Sequence, residues 1–425
     1  MNFRYIPLVV LVFTGLFCNG VSLAQDNALK FKLKQGASGK LCLGCHTAFK
    51  AKLTKPFIHS PLKEGDCVGC HNPHTARHGK LLTADTTRIC YSCHKQMVPN
   101  NAKSVHKVVA EGNCMKCHDP HSADSKFNLI KKGNDLCFGC HKEMGEEISK
   151  ARFKHNPVTK GCLTCHDPHA SSNAGFLLRS SVPAICIGCH KTDRPNFIKQ
   201  HMNYPVANSR CTGCHDPHGS NMAGILYNNV HKPVASRMCN QCHEEATSST
   251  PLKTKKSGYE LCRGCHSELV NSMLSKNRLH WPILSKEGCL NCHNPHAAKQ
   301  KGLVKADMIT VCGSCHQDTI RRQDKSLTKH EPIKDGKCSS CHDPHASDNP
   351  YFFKQASISD LCGTCHDWQK HSSHPLGEKV RDPRNNNVYL QCLSCHRTHG
   401  TEYKHFIPYQ TTTELCTQCH EKFKR

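Results

Sequence analysis

Cys114 and Cys117, followed at once by His118, stand in the spacing C-x-x-C-H. In a helical turn, residues i, i+3 and i+4 share one face. Both thiols can then reach the two vinyl groups of one porphyrin while the imidazole points at the iron. This spacing is the attachment signal of c-type haem. The trio recurs sixteen times along the chain. Before residue 120 the motifs are Cys42-x-x-Cys45-His46, Cys67-x-x-Cys70-His71, Cys90-x-x-Cys93-His94 and the one at Cys114. Cys137-x-x-Cys140-His141, Cys162-x-x-Cys165-His166, Cys186-x-x-Cys189-His190, Cys211-x-x-Cys214-His215 and Cys239-x-x-Cys242-His243 follow. The remainder are Cys262-x-x-Cys265-His266, Cys289-x-x-Cys292-His293, Cys312-x-x-Cys315-His316, Cys338-x-x-Cys341-His342, Cys362-x-x-Cys365-His366, Cys392-x-x-Cys395-His396 and Cys416-x-x-Cys419-His420. A zinc reading would need pairs of cysteine pairs, usually without a fixed following histidine. Every pair here has that histidine, so sixteen covalent haems are expected.

Eighteen histidines lie outside the trios. Sixteen irons that each take two imidazoles need sixteen of them. Most fall at two recurring places. A leading histidine precedes a motif: His59, His106, His155, His201, His280, His330 and His374. A second follows the motif in a Pro-His step: His74, His121, His169, His218, His296 and His345. His399 takes that second place where Arg397-Thr398 replaces the usual pair. The Pro-His histidine lies three residues from its own motif's histidine, so it cannot reach the far face of that haem and must cap a neighbour. Methionine ligation would raise the potential, but the nine methionines follow no repeat position.

Within a repeat the leading cysteines are 23 to 28 residues apart, a period that marks a repeat architecture. One solitary motif and four pairs would make a nine-haem lobe over residues 25–243. Residues 244–261, rich in Ser, Thr and Lys, read as a linker. A second solitary motif at Cys262 and three pairs would make a seven-haem lobe over 262–425. His231 and His405 are assigned to the two solitary motifs, leaving His78 and His371 as spares.

Residues 1–24 read as a secretory signal, with a short apolar stretch and Ser22-Leu23-Ala24 before a cut at Gln25. A membrane anchor is the other reading, against which the apolar run is short and interrupted. Cys18, the one cysteine outside the motifs, leaves with the signal. Residues 25–425 then supply 25 residues per haem, too few to build an ordinary core. The macrocycles must provide the buried apolar surface. The expected fold is therefore mostly irregular loop and short α-helix wrapped on closely packed haems, with few or no strands, in an elongated two-lobe repeat. The formal charge is +24. Sixteen haems bring roughly 32 propionate charges, which leaves about +7 oxidised and about −9 reduced once the signal is gone. The lysines and arginines therefore balance propionates first, and a docking patch for an acidic partner is the remaining use. Nothing in the chain interleaves aromatic and basic residues as a nucleic-acid site would.

The C-x-x-C-H-x-P-H pairs resemble the doubled-motif multihaem c-type cytochromes, notably the periplasmic decahaem group that works with outer-membrane porins in metal-respiring bacteria. The resemblance implies a periplasmic electron carrier of anaerobic respiration with redox proteins as donor and acceptor. Its partners would include an outer-membrane porin or an extracellular cytochrome. An extracellular or outer-membrane-associated place is the other location it allows. A filament of stacked subunits is a variant of the same function. The competing class is a multihaem reductase of a small oxyanion or nitrogen or sulfur compound. That enzyme needs one open iron, and the C-x-x-C-K variant that nitrite reductases of this kind resemble does not occur here. Saturated bis-histidine irons favour a conduit with no catalytic residue.

Overall fold

The computed structural model describes residues 36–367, 374, 376–377 and 380–423. Residues 1–24, expected to be a signal, with Cys18 among them, and His371 lie outside the described residues. Contacts divide the chain into two compact units. One runs up to Cys140 and includes Asp167–Leu177; the other holds His141–His166 and everything from Leu178 onward. Residues 244–261, expected to be a linker, lie inside the second unit.

Local structure is short helix, tight turn and two-residue strand. The second motif of each pair rides on a brief α-helix, such as Thr86–Tyr91, Gly133–Phe138, Met308–Gly313 and Ile358–Gly363. Side-chain caps start several of these. Asp85 accepts from the Arg88 amide, Asp307 from Thr310 and Ser357 from Asp360, which satisfies donors that a helix start leaves unpaired. The Pro-His motifs were expected on helices too. Most sit instead on a single 3-10 turn, as in Cys114–Lys116, Cys162–Thr164 and Cys338–Ser340. The reason is crowding. Gly112 and Gly336 turn the chain at φ 70° and 68° just before the motif, and the step before proline resists the α region just after it.

The strands have one job in each repeat. Phe57–Ile58 pairs with Ser122–Ala123, and Ser104–Val105 with Ala170–Ser171. Phe153–Lys154 pairs with Gly219–Ser220, Asn229–Val230 with Ala297–Ala298, and Arg278–Leu279 with Ala346–Ser347. In each case the strand before a leading histidine pairs with the strand after the Pro-His step of the following repeat. Ser122, Ala297 and Ala346 are buried there, and their small side chains allow close backbone approach. The longest strand, Asn385–Tyr389, pairs with Arg381–Asp382. This hairpin occupies the long gap between His374 and Cys392. Arg384 grips buried Asp382 through Nε and Nη2 at 2.9 and 2.6 Å and also donates to the Ser394 carbonyl. That contact ties the hairpin to the motif.

The polypeptide buries little by itself. Its accessible surface is 31300 Å², whereas a folded protein of 47.4 kDa exposes about 16,000 Å². Among the described residues, half of the ten buried hydrophobic ones are alanine. The apolar cluster of Val270, Met273, Ile283 and Ala346 is small. Surface near the motifs is therefore the wall of something other than protein.

Candidate haem centres

Each C-x-x-C-H trio forms the helical turn that the spacing requires. The His118 amide donates to the Cys114 carbonyl at 3.1 Å, and the Cys117 amide to the same oxygen at 3.2 Å. The bonds repeat at Cys67, Cys289 and Cys338. Both thiols and the imidazole consequently leave one side of the turn.

Opposite most motif histidines stands a second imidazole. Five leading histidines face the second motif of their own repeat. His59 faces His94 with ring centres 5.9 Å apart, His155 faces His190 at 5.9 Å and His231 faces His266 at 6.1 Å. His280 faces His316 at 6.2 Å and His330 faces His366 at 5.8 Å. The Pro-His histidines reach back one repeat. His121 faces His71 at 6.1 Å, His169 faces His118 at 6.2 Å and His218 faces His166 at 6.2 Å. His296 faces His243 at 6.0 Å, His345 faces His293 at 6.1 Å, and His399 faces His342 at 6.1 Å. His201 faces His215 at 6.3 Å and His374 faces His420 at 6.2 Å, both with steeper ring angles.

Ordinary aromatic pairs spread over about 4.5–7 Å between ring centres. Thirteen pairs confined to 5.8–6.3 Å obey something narrower. Two metal–imidazole bonds of about 2.0 Å, plus roughly 1.1 Å from ring centre to nitrogen on each side, give about 6.2 Å. The residues fit an iron held between two imidazoles, with two thiols beside it for the thioether links. In that site the haem would supply one-electron redox chemistry, and the chain supplies its ligands and orientation.

Backbone carbonyls fix the rings. The leading histidines donate from Nδ1 to the carbonyl of a proline in the next repeat: His59 to Pro120 at 2.9 Å, His106 to Pro168 at 3.0 Å, His155 to Pro217 at 2.8 Å, His231 to Pro295 at 2.8 Å and His280 to Pro344 at 2.9 Å. A carbonyl only accepts, so Nδ1 carries the proton and Nε2 keeps its lone pair. The motif histidines do the same with the carbonyl nine residues on. His71 donates to Lys80, His118 to Phe127, His293 to Gly302, His342 to Tyr351 and His396 to His405, all at 2.7–2.9 Å. Such outer contacts orient a metal-binding ring and set its tautomer. Burial also holds His121, His169, His218, His296 and His345 below the usual imidazole value. They stay neutral, the form that binds metal.

The accepting carbonyls sit in strained turns. Lys80, Phe127, Tyr351 and His405 have φ of 55–60°, and the residue after each is also left-handed. A non-glycine residue there costs roughly 1–2 kcal/mol. Glycine fills the position at Gly224 and Gly302. The substitution Lys80→Gly should therefore stabilise the holoprotein by about 0.5–1 kcal/mol, after the entropy that glycine adds to the unfolded chain. Thermal unfolding monitored at the Soret band reads this directly, and a lower midpoint would contradict the strain.

The motifs also follow one another in space. First cysteines of neighbouring motifs touch through their thiols: Cys42 with Cys67, Cys90 with Cys114, Cys186 with Cys211, Cys262 with Cys289, Cys312 with Cys338 and Cys362 with Cys392. Second cysteines lie close enough to interact on the alternate step: Cys70 with Cys93, Cys117 with Cys140, Cys165 with Cys189, Cys242 with Cys265, Cys292 with Cys315, Cys341 with Cys365 and Cys395 with Cys419; at one step the second cysteine Cys214 meets the first cysteine Cys239 instead. The first unit thus carries an unbroken row from Cys42 to Cys140. The second carries another from Cys165 to Cys419.

Several expected pairings change. His231 was given to the first solitary motif and His405 to the second. The structure places His231 opposite His266, because Asn229–Val230 docks on the next repeat as other leading strands do. Cys262 is thus not solitary. His243 bridges Thr254 just as His293 bridges Val304, so residues 244–261 are the ordinary segment between two motifs. His405 is exposed in the turn position of Tyr351, and its carbonyl, not its ring, meets a motif histidine. His201 faces the first motif of its own unit because its Nδ1 bonds back to Phe197 in its own helix. His74 and His78 are exposed and face no motif histidine among the described residues, and neither does His46 face a second imidazole there. A signal for His231 was present: His59, His155, His231, His280 and His330 are all followed by x-Pro, and that proline starts the next short helix. The carbonyl nine residues after motif histidines such as His71, His118 and His293 carries no signal of its own in the sequence.

Comparison with known proteins agrees with this phase. The family model described as the doubled CXXCH motif matches residues 59–99, 106–146, 155–195, 203–230, 231–271, 280–321, 330–371 and 386–425. It takes 231–271 as one doubled unit and leaves 203–230 as a shortened one. The protein named Multiheme cytochrome MtrA from Shewanella baltica (strain OS185) is 27% identical over an alignment of 190 positions that covers 38% of this chain. The match spans about half, 53%, of that relative's length. With the family model covering most of its length and c-type haem motifs in every matched unit, the chain belongs to the doubled CXXCH family of multihaem c-type cytochromes.

Proposed function

We propose that the protein is an electron conduit of sixteen covalently bound haems, nearly all with two histidine ligands. The opposed imidazoles at a spacing of two metal–nitrogen bonds carry this reading. Coordinatively saturated irons exchange electrons but have no position for substrate. The alternating cysteine contacts bring successive haem sites edge to edge, so electrons would pass along each row in sequence order. Low potentials are expected from imidazole pairs, spread by burial and local charge. No catalytic residue is assigned.

The signal-like residues 1–24 support export and a periplasmic place. No helix among the described residues is long and apolar enough to cross a membrane. Its partners would be redox proteins on either side, an outer-membrane porin or extracellular cytochrome among them. The likeness to a multihaem cytochrome is compatible with that role. Two measurements test the proposal. Intact mass should show sixteen haem additions and loss of residues 1–24. Electron paramagnetic resonance of the oxidised protein should be dominated by low-spin signals. A large high-spin fraction quenched by nitrite would make the protein a reductase.

A further inference from the structure

Within the first unit, three neighbouring features lack the partner that their counterparts have elsewhere. His46 faces no second imidazole among the described residues, although it belongs to a complete trio. Its contacts identify it as a second motif, since Cys42 touches Cys67 as Cys90 touches Cys114. A second motif takes its distal ring from a leading histidine upstream, and residues 1–41 contain no histidine. His74 is the second feature. It is a Pro-His histidine that reaches back to no motif, and it is exposed where His121, His169, His218, His296 and His345 are partly buried. The third is backbone. After His121, His169 and His296 the chain forms a strand that receives a leading strand. Thr75 and Ala76 occupy that place without a strand partner among the described residues.

One missing piece answers all three. In the other repeats an extended pair of residues ending in histidine docks here as a unit. The leading histidine's amide donates to the Pro-His carbonyl, at 2.8 Å from His59 to His121 and 2.9 Å from His106 to His169. Its Nδ1 donates to the proline carbonyl, and its ring meets the second motif. The receiving surface is already shaped. Asn72 Oδ1 accepts from the amides of His74 and Thr75 at 3.0 and 3.4 Å. Asp119 Oδ1 accepts from His121 and Ser122 at 2.9 and 3.4 Å in a filled repeat.

We propose that Pro73–Ala76 and the haem site at Cys42–His46 form a docking surface for another protein. That partner presents an extended segment ending in histidine. Its backbone adds to the Thr75–Ala76 edge, a recognised mode of peptide capture, and its imidazole completes the coordination at His46. The haem row would thereby be joined to the partner through one iron. This rests on the haem reading above.

The test uses purified full-length holoprotein and a peptide copied from residues 102–110 of this chain, AKSVHKVVA, which performs the same docking internally. A pyridine haemochrome assay first confirms the haem count, independently of docking. The oxidised protein alone should show one high-spin haem in sixteen. The peptide should convert it to low spin, binding at least tenfold tighter than free imidazole. The peptide with alanine for histidine should leave the signal in place. Absence of any high-spin haem at low protein concentration would overturn the proposal. So would equal binding of imidazole and peptide, which would make the site one for small ligands. Loss of the signal on concentrating the protein alone would assign the surface to a second copy and reject a distinct partner.

Discussion

Produced without haem attachment, the full chain is expected to show no cooperative unfolding transition and to be cleaved by protease along its whole length. The holoprotein should resist the same protease. The difference follows from the surface. Without porphyrin the chain exposes about twice the area of a folded protein its size. Its apolar cluster among the described residues has four buried members, far too few to offset the conformational entropy of some four hundred residues. Metal-dependent domains behave alike, because binding energy and folding energy are the same quantity. Far-UV circular dichroism and limited proteolysis of the two preparations are the check. An apoprotein with a sharp thermal transition would refute a haem-built core.

If the proposed ligation holds, replacing one distal histidine should alter one haem and spare the rest. His218 is the clearest case. It is partly buried, faces His166 at 6.2 Å and has Asp216 Oδ1 3.7 Å from its Nδ1. In His218→Ala, about one haem in sixteen should move from low to high spin, and that iron should acquire affinity for cyanide. In His218→Met the low-spin state should return with a raised potential, since thioether ligation favours the reduced iron. His78→Ala should leave the spectrum untouched. Paramagnetic resonance and spectropotentiometry distinguish these outcomes. An unchanged spectrum in His218→Ala would remove His218 from the coordination sphere.

How much of this was legible in the sequence depended on range. The trios are local, and one helical turn fixes their geometry, so Cys114, Cys117 and His118 could be read directly. The two kinds of second histidine were visible from spacing and from the Pro-His step. Which ring meets which iron was not. His121 meets His71 and His169 meets His118 because two-residue strands dock some sixty residues away, and Phe-Ile or Ser-Val carries almost no strand signal by itself. The phase of the repeats failed at His231 for a related reason. The polar composition of residues 244–261 suggested a break, while the x-Pro after His231 marked a repeat start. His405 was chosen to balance a count. A left-handed turn that aims a carbonyl at His396 decided its place instead.

Synthesis proceeds from the N-terminus, and the backward reach of the Pro-His ring gives that direction a chemical consequence. His71 must wait about fifty residues for His121, and His118 must wait as long for His169. Haem attached at a first motif before the next unit is made would therefore have a single imidazole within reach. The second would arrive only when the following unit had been made and folded back. With the iron held between such pairs, each new unit would complete the site of the one before it, and a chain that stopped short would leave its last first-motif histidine without the facing ring.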